Sequence, residues 1–212
     1  MIESGKAGVG FGVGKESIPD YLASKGVSCL ITDLDIDRAK EKGWVDTNQH
    51  SRDLSEMRGA YNASNSEFFK NVKHRFVDMN AIPNDIKDFD FCWSACALEH
   101  LGSIELGIQF IKNSLNCIKP GGLAVHTTEF NLSSLEETVD NMGTVLFRKK
   151  DIEKLKNDLQ AEGHQIEISY HSGDQPLDVF YDMPPYSQNN HLKLLLGNFI
   201  TTSIGLTILK KK

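Results

Sequence analysis

The sequence predicts an α/β protein built on an open, mostly parallel sheet with helices on both faces. Strand-like and helix-like segments alternate through the first 130 residues, the pattern of strands joined by helical crossovers. The strand-like runs are continuously apolar, as residues 27–32 illustrate, which suits strands covered on both faces. Gly10–Gly14, Asp33, Asp78 and Ser94 each follow or end such a run, and in parallel sheets ligands bind outside the carboxyl ends of the strands.

Each element has its own signal. Residues 6–11 are short, apolar and rich in glycine. Residues 17–25 read as a helix: Ser17 is placed to cap it, Pro19 falls in the first turn, and Gly26 stops it. The strand over 27–32 ends at Asp33, and a helix is expected from 36 to 42. Residues 43–71 are polar, mixed and long for a simple connection. Short strands follow at 75–77 and 89–93. Ile104, Ile108, Ile111, Leu115 and Ile118 then recur at spacings of three and four, a helix face. Lys119-Pro120-Gly121-Gly122 reads as a turn before a strand over 123–128. Beyond it, a helix at 151–161, a strand at 166–170, a loop at 175–190 and a last strand at 203–209 are expected.

Composition narrows the classes of function. The 212 residues suit one domain, residues 1–212, with 43–71 as a lid insertion and 175–191 as a substrate loop. With 40% hydrophobic and 25% charged residues, the chain is ordinary for a globular protein. A net charge of −6 argues against nucleic acid and anionic membranes as partners. No run reaches the roughly 18 apolar residues of a membrane span, and MIESGKAG at the start lacks a signal peptide's apolar stretch. Cys29, Cys92, Cys96 and Cys117 lie in apolar runs without CxxC or Cys/His zinc spacing, so no metal is expected and a reduced, cytoplasmic protein is the default.

The segment Gly8-Val9-Gly10-Phe11-Gly12-Val13-Gly14-Lys15-Glu16 leads from a strand into a helix, where glycines let a ligand approach the backbone. A nucleoside-triphosphate loop would need glycine at Val9 and a hydroxyl at Glu16. A dinucleotide fingerprint fails too, since its last glycine falls on Lys15 or Val13. The spacing Gly10, Gly12, Gly14 remains. Asp33 follows Gly14 by 19 residues, placed to accept ribose hydroxyls, with Asp35 available to cap the next helix.

These residues resemble class I S-adenosylmethionine-dependent methyltransferases, in order and over most of the chain. Gly10-Phe11-Gly12-Val13-Gly14 resembles the loop around the cofactor's amino-acid end, and Ile31-Thr32-Asp33 the ribose-binding strand end. Phe76-Val77-Asp78-Met79-Asn80 resembles the motif flanking adenine. Phe89 to Ser94 with Ala97-Leu98-Glu99-His100-Leu101 resembles the fourth strand and its exit, and Lys119-Pro120-Gly121-Gly122 the turn before the fifth. The resemblance implies a Rossmann-like, seven-stranded sheet with an antiparallel last strand. It implies S-adenosylmethionine as cofactor, held by Gly10, Phe11, Gly12, Gly14, Asp33, Leu34, Asp78, Met79 and Ser94. The family often carries an acidic residue two positions before the loop's first glycine, and here that position is Gly8. The first strand also begins almost at Met1, where family members usually carry covering helices.

The implied reaction is displacement at a sulfonium methyl by an acceptor nucleophile, to which the protein contributes alignment and desolvation. A hydroxyl acceptor would want a base, and His100 and Glu99 at the exit of the fourth strand are the candidates; His126, within a strand, reads as structural. Glu129, Asn131 and Tyr186 are candidate substrate residues. A small polar molecule, a sugar or other hydroxyl compound, is the expected acceptor. The competing readings are a non-catalytic cofactor-binding subunit and an NAD-dependent oxidoreductase-like binder, the latter disfavoured by the loop spacing.

Overall fold

A computed structural model describes residues 3–41, 54, 63–187 and 192–212. Most of the expected lid at 43–71, and residues 188–191 of the expected substrate loop, lie outside the described residues. The strands are β1 (Ala7–Phe11), β2 (Ser28–Asp33), β3 (Val72–Phe76), β4 (Phe89–Ala95), β5 (Ile118–Asn131), β6 (Gln165–Ser169), β7 (Leu194–Leu196) and β8 (Phe199–Leu209). The helices are α1 (Ile18–Ser24), α2 (Ile36–Glu41), α3 (Asn65–Asn71), α4 (Ile104–Ser114) and α5 (Lys149–Ala161).

The sheet runs β3-β2-β1-β4-β5-β8-β6, with β7 paired to β8. From β3 to β5 all neighbours are parallel, and β8 is antiparallel to β5, β6 and β7. The predicted architecture is therefore present, with the three-residue β7 as an eighth strand that was not expected. The strand order reverses between β1 and β4, the switch point at which open α/β sheets bind ligands.

Alternation along β4 explains the two-sided packing. Cys92 joins Val9 and Phe11 of β1 against Ile104, Ile108 and Ile111 of α4 and Ile152, Leu155 and Leu159 of α5. Phe91 and Trp93 point the other way, into a cluster with Leu22 and Ala23 of α1 and Phe68 of α3. On that face β1 presents only Gly8 and Gly10. A Cβ at Gly8 would lie 2.3 Å from the Phe91 ring and one at Gly10 2.4 Å from the Trp93 ring. The glycines of β1 are thus packing requirements for the rings of β4.

Several local expectations change. Ser17 stands at the start of α1, but its side chain makes no capping bond. Helix α3 lies in the stretch read only as polar connection; Ser64 and Glu67 form a capping box there, a signal present in Ser64-Asn65-Ser66-Glu67. The helical face of α4 ends at Ser114, and Ile118 already belongs to β5. Pro120-Gly121-Gly122 is no free turn but an irregularity inside the 14-residue β5, where Ile118 and Leu123 pair with Phe89 and Phe91. No helix among the described residues is long and apolar enough to cross a membrane.

Candidate active site

The loop after β1 is tied to the end of β2. Gly12 and Gly14 have φ of +61° and +53°, values that glycine adopts without a Cβ penalty. The Val13 N–H donates to the Thr32 carbonyl at 3.1 Å. Asp33 accepts the Gly14 N–H on Oδ2 at 3.1 Å and the Leu34 N–H on Oδ1 at 2.9 Å. Its carboxylate is therefore fixed where the glycine loop meets the second strand end. Asp35 accepts the Arg38 N–H at 3.1 Å and so caps α2, which leaves Asp33 to the loop.

The end of β3 lies alongside. Asp78 accepts the Asn80 N–H at 2.9 Å and pairs with Arg38 Nη1 at 2.8 Å. Arg38 reaches from α2 across the space between the ends of β2 and β3, a contact sequence reasoning missed because nothing local marks it. Met79 is buried, and its Sδ would lie 3.1 Å from a Cβ on Gly12. Phe11, also expected to hold the cofactor, is wholly buried beneath the loop against Phe110, the ring centroids 5.4 Å apart; its side chain supports the loop from within.

Ser94 does not offer its hydroxyl to the rim. It is buried and lies 2.8 Å from His126 Nδ1, while Nε2 lies 3.2 Å from Ser114 Oγ. Because Ser114 donates its own proton to the Ile111 carbonyl, His126 donates from Nε2 and accepts from Ser94. Burial lowers the His126 pKa to about 3, so the ring is neutral and structural, as expected for a histidine within a strand.

After β4 the chain turns sharply. Cys96 has φ +46°, and its N–H donates to the Thr127 carbonyl at 3.1 Å and to Thr127 Oγ1 at 3.0 Å. His100 Nδ1 donates to the Gly143 carbonyl at 3.0 Å. A carbonyl only accepts, so in the neutral ring Nε2 carries the basic lone pair. Glu99 has no solvent exposure; Thr128 donates to Oε2 at 3.1 Å, and among the described residues Oε1 has no hydrogen-bond partner. Burial above all, then the nearby Glu129, raises its pKa to about 8. Enclosed in this way, Glu99 cannot touch a substrate directly.

Glu129 lies further along β5, held by Thr201 Oγ1 at 2.8 Å and Ser203 Oγ at 3.3 Å from β8. Cys96 and Ser203 are exposed beside it, so this side of the rim is open. Asn131 is not presented there. Its Oδ1 accepts the N–H groups of Ser133 and Ser134, and its Nδ2 donates to the Glu137 carbonyl, so it organises the following loop. Tyr186 donates its hydroxyl to the Leu195 carbonyl at 2.7 Å, anchoring its segment to β7. Of the four cysteines, Cys29, Cys92 and Cys117 are buried, as small hydrophobes should be; Cys96 alone is exposed, and the pKa of all four is raised, first by desolvation.

Two features bear on whether a cationic nucleoside fits. The Phe91 ring occupies the space that a side chain at Gly8 would need, so the acidic residue common at that position is sterically excluded. A different carboxylate, Glu16, sits at the loop's far end. Burial raises its pKa to about 7, opposed by the Trp93 indole N–H at 3.4 Å and reinforced by Asp33. Asp33, with Glu16 only partly ionised near neutrality, gives the loop a negative field without a carboxylate at position 8. The left-handed glycines, the pinned Asp33 and this field fit such a ligand.

No protein-family model and no curated protein matches the sequence, but many solved structures match the fold. Phosphoethanolamine N-methyltransferase 2 of Haemonchus contortus, solved with S-adenosyl-L-methionine, aligns with a TM-score of 0.58 at 15% identity, over 100% of this chain and 50% of that one. This chain thus spans half the length of that enzyme. A SAM-dependent methyltransferase of Methanosarcina mazei aligns with a TM-score of 0.54 at 14% identity, covering 100% and 95% of the two chains. The [4+2]-cyclase SpnF aligns at 0.57 and 15%, covering 99% and 77%. The likeness establishes the fold, which is that of class I S-adenosylmethionine-dependent methyltransferases.

Proposed function

We propose that this chain binds S-adenosylmethionine and transfers its methyl group to a small polar acceptor. The observation that carries the reading is the meeting, at the switch point of the sheet, of a glycine loop pinned to Asp33 with the His100 segment after β4. Fold alone does not name a reaction; a cyclase stands among the structural neighbours. Bound here, such a cofactor would supply a sulfonium methyl for in-line attack by the acceptor's nucleophile, the carbon–sulfur bond breaking as S-adenosylhomocysteine leaves. The backbone of Gly10, Gly12 and Gly14 would let the cofactor approach, Asp33 would accept ribose hydroxyls, and Leu34, Asp78 and Met79 would border the base. Glu16 and Asp33 favour its positive charge.

On the acceptor side, His100 takes the acceptor's proton through Nε2 and Glu129 orients it. The sugar or other hydroxyl compound expected from the sequence gains no support from the neighbours, one of which is named for phosphoethanolamine, so the acceptor stays a small polar molecule. Neither the NAD-binding reading nor the non-catalytic subunit is favoured by any neighbour quoted above. The test is transfer of labelled methyl from S-adenosylmethionine to a panel of small amines, phosphorylated amines and hydroxy acids. Turnover is expected with at least one class. His100→Gln should lower kcat by roughly a hundredfold and leave S-adenosylmethionine affinity unchanged. A variant with wild-type kcat would remove His100 from the mechanism.

A further inference from the structure

We propose that Cys96, Glu99 and Glu129 form a binding site for a zinc-class divalent cation, one that accepts thiolate as well as carboxylate. The Cys96 Sγ and one oxygen from each carboxylate all lie within 4.8 Å of one another. An acidic cluster alone would mean little, but Glu99 adds an independent observation. It is wholly buried, and its Oε1 has no hydrogen-bond partner among the described residues, a costly state for a polar atom. Among the described residues, no lysine, arginine or histidine forms an ion pair with Glu99 or Glu129.

The surrounding hydroxyls behave as supports. Thr128 fixes the other oxygen of Glu99, and Thr201 and Ser203 fix Glu129, which orients carboxylates as outer partners orient metal ligands. Among the described residues, Cys96 Sγ has two hydroxyl hydrogen-bonding neighbours, Thr127 and Ser203, each at 3.4 Å. A cation at the centre would give the buried Glu99 carboxylate a partner and relieve the crowding of two carboxylates and a thiol. The thiolate favours zinc or cobalt over magnesium, which prefers oxygen ligands in octahedral array. Three protein ligands leave a fourth position open, towards the exposed side at Cys96 and Ser203.

The test uses the full chain, stripped with chelator and titrated with cobalt(II) in the absence of any methyl donor. One equivalent should bind, with a thiolate-to-cobalt charge-transfer band and the strong visible bands of a low-symmetry site, and zinc but not magnesium should displace it. Cys96→Ser should abolish the charge-transfer band, and Glu129→Gln should weaken binding by roughly tenfold or more. Circular dichroism checks that both variants remain folded. A folded wild-type chain without the band, a band that survives Cys96→Ser, or displacement by magnesium as readily as by zinc would overturn the site. Because the readout needs no S-adenosylmethionine, its failure is separable from failure of the proposed transferase.

Discussion

Acidification from about pH 7 to about pH 4 is expected to cost the fold about 3 kcal/mol through His126 alone. Its folded pKa is depressed to about 3 by complete burial, whereas an unfolded histidine titrates near 6.5. Between those values the unfolded chain takes up a proton that the folded chain refuses. The stabilisation is therefore complete above the unfolded value and is lost as pH falls towards the folded one. Urea unfolding of wild type and His126→Gln at both pH values isolates the effect, since all other groups cancel in the comparison. The variant should be less stable near neutrality, having lost the edge-to-face contact with Phe110 at 5.5 Å, yet should lose less on acidification. Equal losses for the two proteins would show that His126 is not held neutral.

The second large effect is at the loop. Gly12→Ala should lower S-adenosylmethionine affinity by roughly a hundredfold, because a misplacement of an ångström in a positioned site is enough for that. The added methyl would sit 2.8 Å from Ala97 Cβ and 3.1 Å from Met79 Sδ, forcing the loop away from the exit of β4. Its left-handed φ of +61° adds about 1 kcal/mol of strain. Gly197→Ala separates the two causes: Gly197 has φ +60° with nothing within 4 Å of an added Cβ. That control should lose about 1 kcal/mol in stability and no affinity. Matching losses of affinity in both variants would mean that backbone strain, rather than the contact with β4, governs binding.

What the sequence revealed and what it hid follow from the range of the interactions. The apolar runs of β1 and β4 are buried on both faces, so their hydrophobicity announced both the strands and a parallel sheet; β2 and β5 are buried mainly on alternate residues. The Gly10–Gly14 loop and Asp33 were legible for a similar reason: each lies at a strand end and pairs across an adjacent strand. Strand β7 has three half-buried residues, too few to show periodicity. The irregularity at Gly121-Gly122 arises because Lys210 bonds to both glycines from the far end of the chain, which local turn chemistry cannot report. Ser94 looked like a rim residue from its strand end, yet its hydroxyl was claimed by His126, 32 residues later. Asn131 was likewise claimed by the loop that follows it. The Cys96, Glu99 and Glu129 cluster joins β4's exit to β5, so no compact spacing motif marks it. Gly8, a departure from the family pattern in the sequence, has a physical account in the Phe91 ring beside it.

The most direct test of the account is calorimetric titration of the purified chain with S-adenosylmethionine and S-adenosylhomocysteine, beside Asp33→Ala. Asp33 holds both the loop at Gly14 and the turn at Leu34, and it is the group assigned to the ribose. One site of micromolar affinity is expected in the wild type, and its loss in a variant that remains folded. A folded wild-type chain that binds neither ligand, or an Asp33→Ala variant that binds as tightly as wild type, would contradict it.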